Sequence, residues 1–280
     1  MNDQYLYHYT TPQGLIGIVK SKTLWATHTM YLNDTQEFVK GLNIAKRILD
    51  QLRNRETNEE RIKKIEWLQK QVSIFSLSTF VASFSSEKDQ LSQWRAYCRE
   101  GGFTIGFPYE KIEQKAEEQA FSLMECIYKE EDQESLIYKA IWFKVSQWIN
   151  NPNQLKEEVI TYQDAERYKV GGDLLFELIK VCPLIKDSAF CEEKEWRLIL
   201  NPGQKYESEK RGFFSRGSII VPYIKFNLGE EIDFWGKTRV VVGASPHIED
   251  SCESVKNLFR CYCGHTVCIE KTKIPYRHWW

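Results

Sequence analysis

The chain has 280 residues, 42% of them hydrophobic, with 38 basic side chains against 39 acidic ones and a net charge of −1. That is enough chain to bury a large core, as one domain or two closely packed ones. Near-neutrality excludes the overall basic footprint of a nucleic-acid or anionic-membrane binder and leaves room only for a local basic patch. No early apolar run resembles a signal peptide, and no stretch approaches the ~20 apolar residues that span a bilayer. A soluble cytoplasmic protein without a membrane partner is therefore expected, its 8 cysteines mostly reduced.

In chain order, Tyr5 to Thr10 reads as a strand, and Pro12 opens a short helix with Leu15, Ile16, Ile18 and Val19 on its apolar face. Leu24 to Thr27 is a second strand, and Tyr31-Leu32-Asn33-Asp34 a turn in which Asn33 or Asp34 caps the next helix. From Thr35 to about Phe75, apolar positions recur every three or four residues with a break near Glu56 to Glu59, the pattern of a helical hairpin. Thr79 to Ser85 is a strand, Asp89 caps a helix carrying Leu91, Trp94, Tyr97 and Cys98, and Gly101-Gly102 ends it. Strands come next at Phe103 to Phe107 and Ser122 to Tyr128, then helices at Gln133 to Asn150 and Pro152 to Val181. The aromatics of the first of these helices (Tyr138, Trp142, Phe143, Trp148) read as core or helix–helix interface. Beyond Glu195 the chain turns β-rich, with strands at Glu195 to Leu200, Ser218 to Val221, Thr238 to Val242 and Thr266 to Glu270, and a helix at about Asp250 to Arg260. The fold class is α+β: one domain over 1–280 built on a mainly antiparallel sheet, with helical insertions at about 35–75 and 133–181.

Two segments carry chemistry. Cys261, Cys263, His265 and Cys268 offer zinc-type ligands within eight residues. C-x-C-x-H spacing packs them too tightly to close a tetrahedron from one loop, so structural thiols are the favoured reading and no metal is expected. The second segment is Glu192-Glu193-Lys194-Glu195-Trp196-Arg197-Leu198-Ile199-Leu200. Strand alternation puts Trp196, Leu198 and Leu200 on one face, and Glu195, Arg197 and Ile199 on the other. An acid sharing a face with an arginine where a strand enters a core needs either a structural partner or a job; a solvated strand end is the plainer reading of the segment alone.

Four blocks occur in order: Tyr7-His8-Tyr9-Thr10 with Leu24-Trp25-Ala26 and Leu32-Asn33-Asp34; Ser83-Phe84-Ser85 with Gln93-Trp94-Arg95-Ala96-Tyr97; Phe190 to Glu193 with Glu195-Trp196-Arg197-Leu198; and Ile219 to Tyr223 with Ile274-Pro275-Tyr276-Arg277. The series resembles a widespread bacterial family known only as a domain of unknown function. It is also distantly similar to ADP-ribosyltransferases of the His–Tyr–Glu kind. That second resemblance implies an ADP-ribosyltransferase-like sheet, NAD as substrate, a macromolecular acceptor (protein or nucleic acid), and a role as a bacterial toxin or defence effector. It implies His8 on the NAD ribose, Tyr97 or, second, Trp94 stacked on nicotinamide, and Glu195 supporting catalysis. Tyr9, Thr10 and Ser83 would line the same site.

The implied chemistry is coherent. Breaking the nicotinamide–ribose bond builds positive charge on the ribose, and a nearby carboxylate stabilises it. A neutral His8 would donate to a ribose hydroxyl. Arg197 would bind the pyrophosphate or pair structurally with Glu193 or Asp187, the latter being favoured. Two further readings stand beside this one: a non-enzymatic nucleotide-binding module, and a metal-dependent nuclease or hydrolase built on Asp34, Glu37, Glu193 and Glu195.

Overall fold

The computed structural model describes residues 4–32, 36–74, 79–98, 101–150, 163–201 and 210–275. The turn at Asn33-Asp34, the start of the second predicted middle helix at Pro152, and the Tyr276-Arg277 tail lie outside the described residues, as does the side chain of Glu37.

The first strand, β1 (Tyr5–Thr10), leads into α1 (Pro12–Ser21), where the Thr11 side chain caps the helix by accepting from the Gly14 N–H at 3.2 Å. Then come β2 (Thr23–His28) and the helical hairpin α2 (Gln36–Arg55) and α3 (Glu59–Ile74). The hairpin breaks where the sequence predicts, because the Glu56 carboxylate accepts from the N–H groups of Thr57 and Asn58 and the Asn58 side chain accepts from Arg61 N–H. Next are β3 (Phe80–Ser85), α4 (Leu91–Tyr97), β4 (Phe103–Pro108), α5 (Tyr109–Glu118) and β5 (Phe121–Glu125). The long helices α6 (Glu130–Asn150) and α7 (Gln163–Val181) lead to two 3₁₀ turns (Cys182–Leu184 and Ser188–Glu193) and β6 (Glu195–Leu200). The chain closes with β7 (Arg211–Arg216), β8 (Ile219–Asn227), α8 (Ile232–Gly236), β9 (Arg239–Val242), α9 (Ile248–Cys263) and β10 (Cys268–Lys271).

The strands form one sheet, ordered β10-β9-β4-β1-β3-β2-β8-β7, with β6 and then β5 added on the far side of β3. All pairings between named strands are antiparallel except β9 with β10, which α9 joins as a parallel crossover. The fold is thus α+β, as expected. One face of the sheet packs α1, α5, α8 and α9 around Phe107, Phe226, Trp235 and Phe259, all essentially without solvent contact. On β6 this face takes Trp196, Leu198 and Leu200, as the alternation predicts. The two helical insertions meet each other in a separate apolar cluster, with Ile44, Leu49, Leu68, Ile141, Leu174 and Leu178 at its centre. Its end is joined to the opposite sheet face through Leu184, which packs with Val81 and Ile199.

Several local expectations are corrected. Asp89 is not the cap of α4. That position belongs to Gln90, and the Asp89 carboxylate instead accepts from Trp94 Nε1 at 2.7 Å, from the Thr272 hydroxyl and from Lys273 N–H, tying α4 to the segment after β10. Of the α6 aromatics, Tyr138, Trp142 and Phe143 do not form its buried face, and the side chain of Trp148 lies outside the described residues. Ile137, Ile141 and Val145 form that face, while Tyr138 and Trp142 stack on each other at the surface and Phe143 is exposed. Helix α5 and strand β7 were not expected: α5 buries only Ile112, Lys115 and Ala116 in a charged run, and β7 is largely exposed, with its pairing supplied by a two-residue turn that places Gly217 at φ +58°. Cys261 and Cys263 end α9, Cys268 starts β10, and the Cys263 thiol accepts from the Lys22 ammonium at 2.9 Å. Among the described residues no three His, Cys, Asp or Glu side chains gather as a metal site.

Phe107 sits at the centre of the aromatic core, stacked on Phe234 and edge-on to Phe84 and Trp235. Phe107→Ala is expected to cost about 3–5 kcal/mol in urea unfolding, whereas Phe213→Ala, on the exposed side of β7, is expected to change stability by less than about 0.5 kcal/mol. Equal losses from the two would contradict this placement of the core.

Candidate functional site

Strand β3 is where the sheet forks. Ser85 pairs with both Glu195 and Tyr7, and Val81 pairs with both Ile199 and Thr27. A strand residue has one neighbour on each side, so β6 occupies one edge of β3 while β1 and β2 share the other, end to end. Between these pairings β1 and β2 diverge, and a cleft of about 640 Å³ opens over Val81, Ala82 and Ser83. One wall is β1 with α4, presenting His8, Tyr9, Thr10 and Tyr97; the other is β2 with β7, presenting Trp25, Thr27, Phe214 and Arg216. Glu195 and Arg197 of β6, and Lys186, Phe190 and Glu193 of the segment before it, complete the lining. A smaller recess of about 80 Å³ adjoins, lined by His8, Ser83, Gln93, Tyr97, Glu193 and Glu195 among others.

His8 is held by one hydrogen bond, from Nδ1 to the Ser83 carbonyl at 2.9 Å. A carbonyl only accepts, so Nδ1 carries the proton. Burial pushes the His8 pKa below its ordinary value, against the opposing pull of that bond. The ring at neutral pH is therefore uncharged with a bare Nε2, which accepts from a ligand hydroxyl rather than donating to it. This reverses the expected direction of the His8 bond.

Tyr97, at the end of α4, is 41% exposed and turned toward the cleft. Burial raises its phenol pKa, and the Glu195 and Glu193 charges add to that, so it stays neutral. Trp94 is a different matter. At 3% exposure it packs edge-on against Tyr9 with ring centres 4.9 Å apart, and it lines neither cavity, which removes it as a stacking platform. Tyr9 borders the cleft, but its hydroxyl is spent within the loop below, donating to the Glu87 carbonyl and accepting from Gln90 N–H. Thr10 and Ser83 are lining residues.

Glu195 is 5% exposed, and its carboxylate is clamped from two sides. Arg197 donates Nε to Oε1 at 2.8 Å and Nη2 to Oε2 at 3.0 Å, and the Lys186 ammonium reaches Oε2 and also Glu193 at 2.7 Å. Arg197 further donates to the Pro183 carbonyl, and is itself 4% exposed. It therefore pairs structurally, as favoured, though with Glu195 rather than with Glu193 or Asp187. Glu193 is engaged by Lys186, and Asp187 caps its own 3₁₀ turn and faces Lys40. A pyrophosphate role for Arg197 is correspondingly displaced, since its fork is committed to Glu195. Backbone bonds fix the strand entrance as well: Glu195 N–H donates to Tyr128 Oη, the Ser85 hydroxyl donates to the Glu193 carbonyl, and Lys194 turns the chain in the left-handed region at φ 42°.

Burial by itself would raise the Glu195 pKa. The Arg197 charge and hydrogen bonds, with those of Lys186 after them, outweigh it and bring the value to about 2. Two carboxylates and two cations thus form a self-neutral cluster in which the Glu195 carboxylate at the fork is ionised at neutral pH.

The structure therefore brings His8, Ser83, Tyr97 and Glu195 to one cleft from four separate segments, and leaves Trp94 outside. Sequence reasoning missed Lys186, Phe214 and Arg216, and it named Gln93, Phe190 and Trp25 only as motif residues without a place at the site. A tryptophan left 45% exposed on a strand is the signal that marks the β2–β7 wall. Of the oxygen ligands a metal-dependent hydrolase would need, Asp34 lies outside the described residues, and Glu193 and Glu195 are matched by Lys186 and Arg197.

Fold and cleft together define an α+β protein with a forked, mostly antiparallel sheet and an aromatic-walled cleft of mixed polarity at the fork. A family model described as a protein of unknown function (DUF2971) matches residues 93–198, a stretch that begins in α4 and ends within β6. It contains Tyr97, Lys186, Glu193, Glu195 and Arg197, whereas His8 and the Trp25 wall lie outside it. No curated protein and no solved structure matches the chain. No helix among the described residues is long and apolar enough to cross a membrane.

A carboxyl whose pKa falls on folding stabilises the fold above its ordinary pKa and loses that stabilisation as pH drops toward the folded value. For Glu195 the window runs from 4.5 down to about 2. Glu195→Gln, which leaves two buried cations short of an anion, is expected to destabilise the protein by on the order of 3 kcal/mol at neutral pH. In denaturant titrations the difference from wild type should shrink as pH is lowered through that window. A difference independent of pH would mean that the carboxylate is not ionised in this clamp.

Proposed function

We propose that the cleft takes NAD and that the protein breaks the nicotinamide–ribose bond, passing ADP-ribose to a macromolecular acceptor or to water. The observation that carries this reading is the convergence of His8, Tyr97 and Glu195, from β1, α4 and β6, on one cleft. Residues nearly 190 positions apart in the chain (8 and 195) have no reason of local structure to meet there, and their chemistry suits one bond cleavage.

The half-exposed Tyr97 ring offers nicotinamide a flat face without demanding a hydrogen bond. The bare Nε2 of His8 accepts from a ribose hydroxyl and so fixes the sugar. When the C1′–N bond breaks, its electron pair leaves on the nicotinamide nitrogen and the ribose becomes positive. Glu195, already ionised and oriented by Arg197 and Lys186, faces that developing charge without reorganising. The nucleophile then bonds C1′ and releases a proton. With its Nε2 bare, His8 is not required as an acid, and Glu195 is charged throughout the neutral range.

The test incubates the protein with NAD labelled in its adenylate half, together with lysate, and tracks nicotinamide release and label transfer. Wild type is expected to release nicotinamide. Glu195→Gln, checked for folding by circular dichroism, should lose at least about 100-fold in kcat, and Tyr97→Ala should act mainly through KM. From about pH 7 to 9 the wild-type rate should show no ionisation belonging to His8 or Glu195. Equal nicotinamide release by wild type and Glu195→Gln, or release by neither, would overturn the proposal. Label found only in free ADP-ribose would make water the acceptor.

A further inference from the structure

The wall opposite Tyr97 carries a second flat apolar surface beside a cation, and neither is used by the chemistry above. Trp25 of β2 stacks on Tyr223 of β8, with ring centres 4.1 Å apart and planes 14° apart, and Phe214 of β7 adjoins it at 5.6 Å. The Tyr223 ring is able to lie across β7 because Gly212 is opposite it; a Cβ there would meet the ring at 2.3 Å. This stack is supported from below, yet Trp25 remains 45% exposed into the cleft, an apolar area that water covers at a cost and a ligand would cover with a gain. Arg216 stands next to it, 5.5 Å over Phe214, with one of the five N–H donors of a guanidinium spent on the Tyr31 carbonyl at 2.7 Å. Arg216 is thus the cation that the β2–β7 wall presents to the cleft. The acids across the cleft do not neutralise it, since Glu193 and Glu195 are matched by Lys186 and Arg197.

We propose that Trp25, Phe214 and Arg216 form a nucleotide subsite, in which the aromatic wall stacks a purine base and Arg216 binds the phosphate attached to it. Resting on the reading of the cleft as an NAD site, this assigns the adenylate half of the dinucleotide to the β2–β7 arm of the fork and the nicotinamide half to the β1–α4 arm. A ligand with two flat bases joined by a pyrophosphate matches a cleft with an aromatic surface on each diverging wall. Stacking of one base on an aromatic side chain is worth about 1–3 kcal/mol, which corresponds to roughly 5- to 150-fold in affinity.

Calorimetry on the full chain with AMP, nicotinamide mononucleotide and NAD tests the assignment. AMP is expected to bind wild type and to compete with NAD. Trp25→Ala and Arg216→Ala should each weaken AMP and NAD by roughly 10-fold or more while leaving nicotinamide mononucleotide unchanged. Trp25→Phe, which keeps a flat ring on Tyr223, should retain most of the affinity and so separates stacking from a folding defect. Absence of AMP binding, or AMP binding equally to wild type, Trp25→Ala and Arg216→Ala, would overturn the subsite. So would a 5′-phosphorylated oligonucleotide that binds through Trp25 and Arg216 and is not displaced by AMP, which would make this wall a nucleic-acid surface. The two proposals fail differently: NAD bound through Trp25 but never cleaved refutes the chemistry alone, and NAD cleaved with an unchanged KM in Trp25→Ala refutes the subsite alone.

Discussion

A carboxylate and a guanidinium two residues apart on one strand, each about 5% exposed or less, constrain everything around them. Burying either alone would cost several kcal/mol, so Glu195 and Arg197 must satisfy each other, and the donors and acceptors left over must find partners nearby. Lys186 and the Pro183 carbonyl provide them, and both come from the segment that leaves the helical cluster after α7. The clamp therefore fastens three things at one point: β6, the end of the helical insertions, and the floor of the fork at β3. The helices do not touch the proposed chemistry, yet they deliver the lysine and the carbonyl that keep Glu195 charged and oriented. The proposed stabilisation of a positive ribose by this carboxylate thus draws on the same physics that makes it tolerable in a protein interior.

The fork itself arises because one strand has too few neighbours on one edge. Because β1 pairs with β3 at Ser85 and β2 pairs at Val81, the backbone between them is left without a continuous strand partner on that side. His8 fills part of the gap by donating to Ser83, and this bond sets its tautomer. Elsewhere in the sheet a central edge is covered by hydrogen bonds along its length; here the interruption yields polar groups, a hollow and two diverging walls in one place.

Legibility from the sequence divides along physical lines. The period-two alternation of Glu195 to Leu200 places Trp196, Leu198 and Leu200 on one core face and the charges on the other, because successive side chains of a strand point to opposite faces; that the charged face is buried as well is not visible in the pattern. The break at Glu56 to Asn58 is equally legible, since it is made by side chains capping their own neighbours. His8 and Tyr97, by contrast, enter through resemblance, and nothing local marks them: a histidine in a strand and a tyrosine at a helix end are ordinary. Lys186 is invisible because its partners lie seven and nine residues away across a turn. The Trp25–Tyr223–Phe214 wall depends on β2 pairing with β8, two strands from opposite ends of the chain. The α6 aromatics mislead because hydrophobic type is not burial, and the isoleucine and valine row one step along the helix faces the cluster instead.

If one ligand bridges the fork, its reactive end lies between His8, Tyr97 and Glu195. A crystal structure of the protein with carba-NAD, whose ribose–nicotinamide link resists cleavage, decides this most directly. The expected complex has the nicotinamide ring against Tyr97, a hydroxyl of the adjoining ring donating to Nε2 of His8, and Glu195 still held by Arg197 and Lys186 beside C1′. An analogue bound elsewhere, or one seated in the cleft with its nicotinamide end away from Glu195, would contradict it.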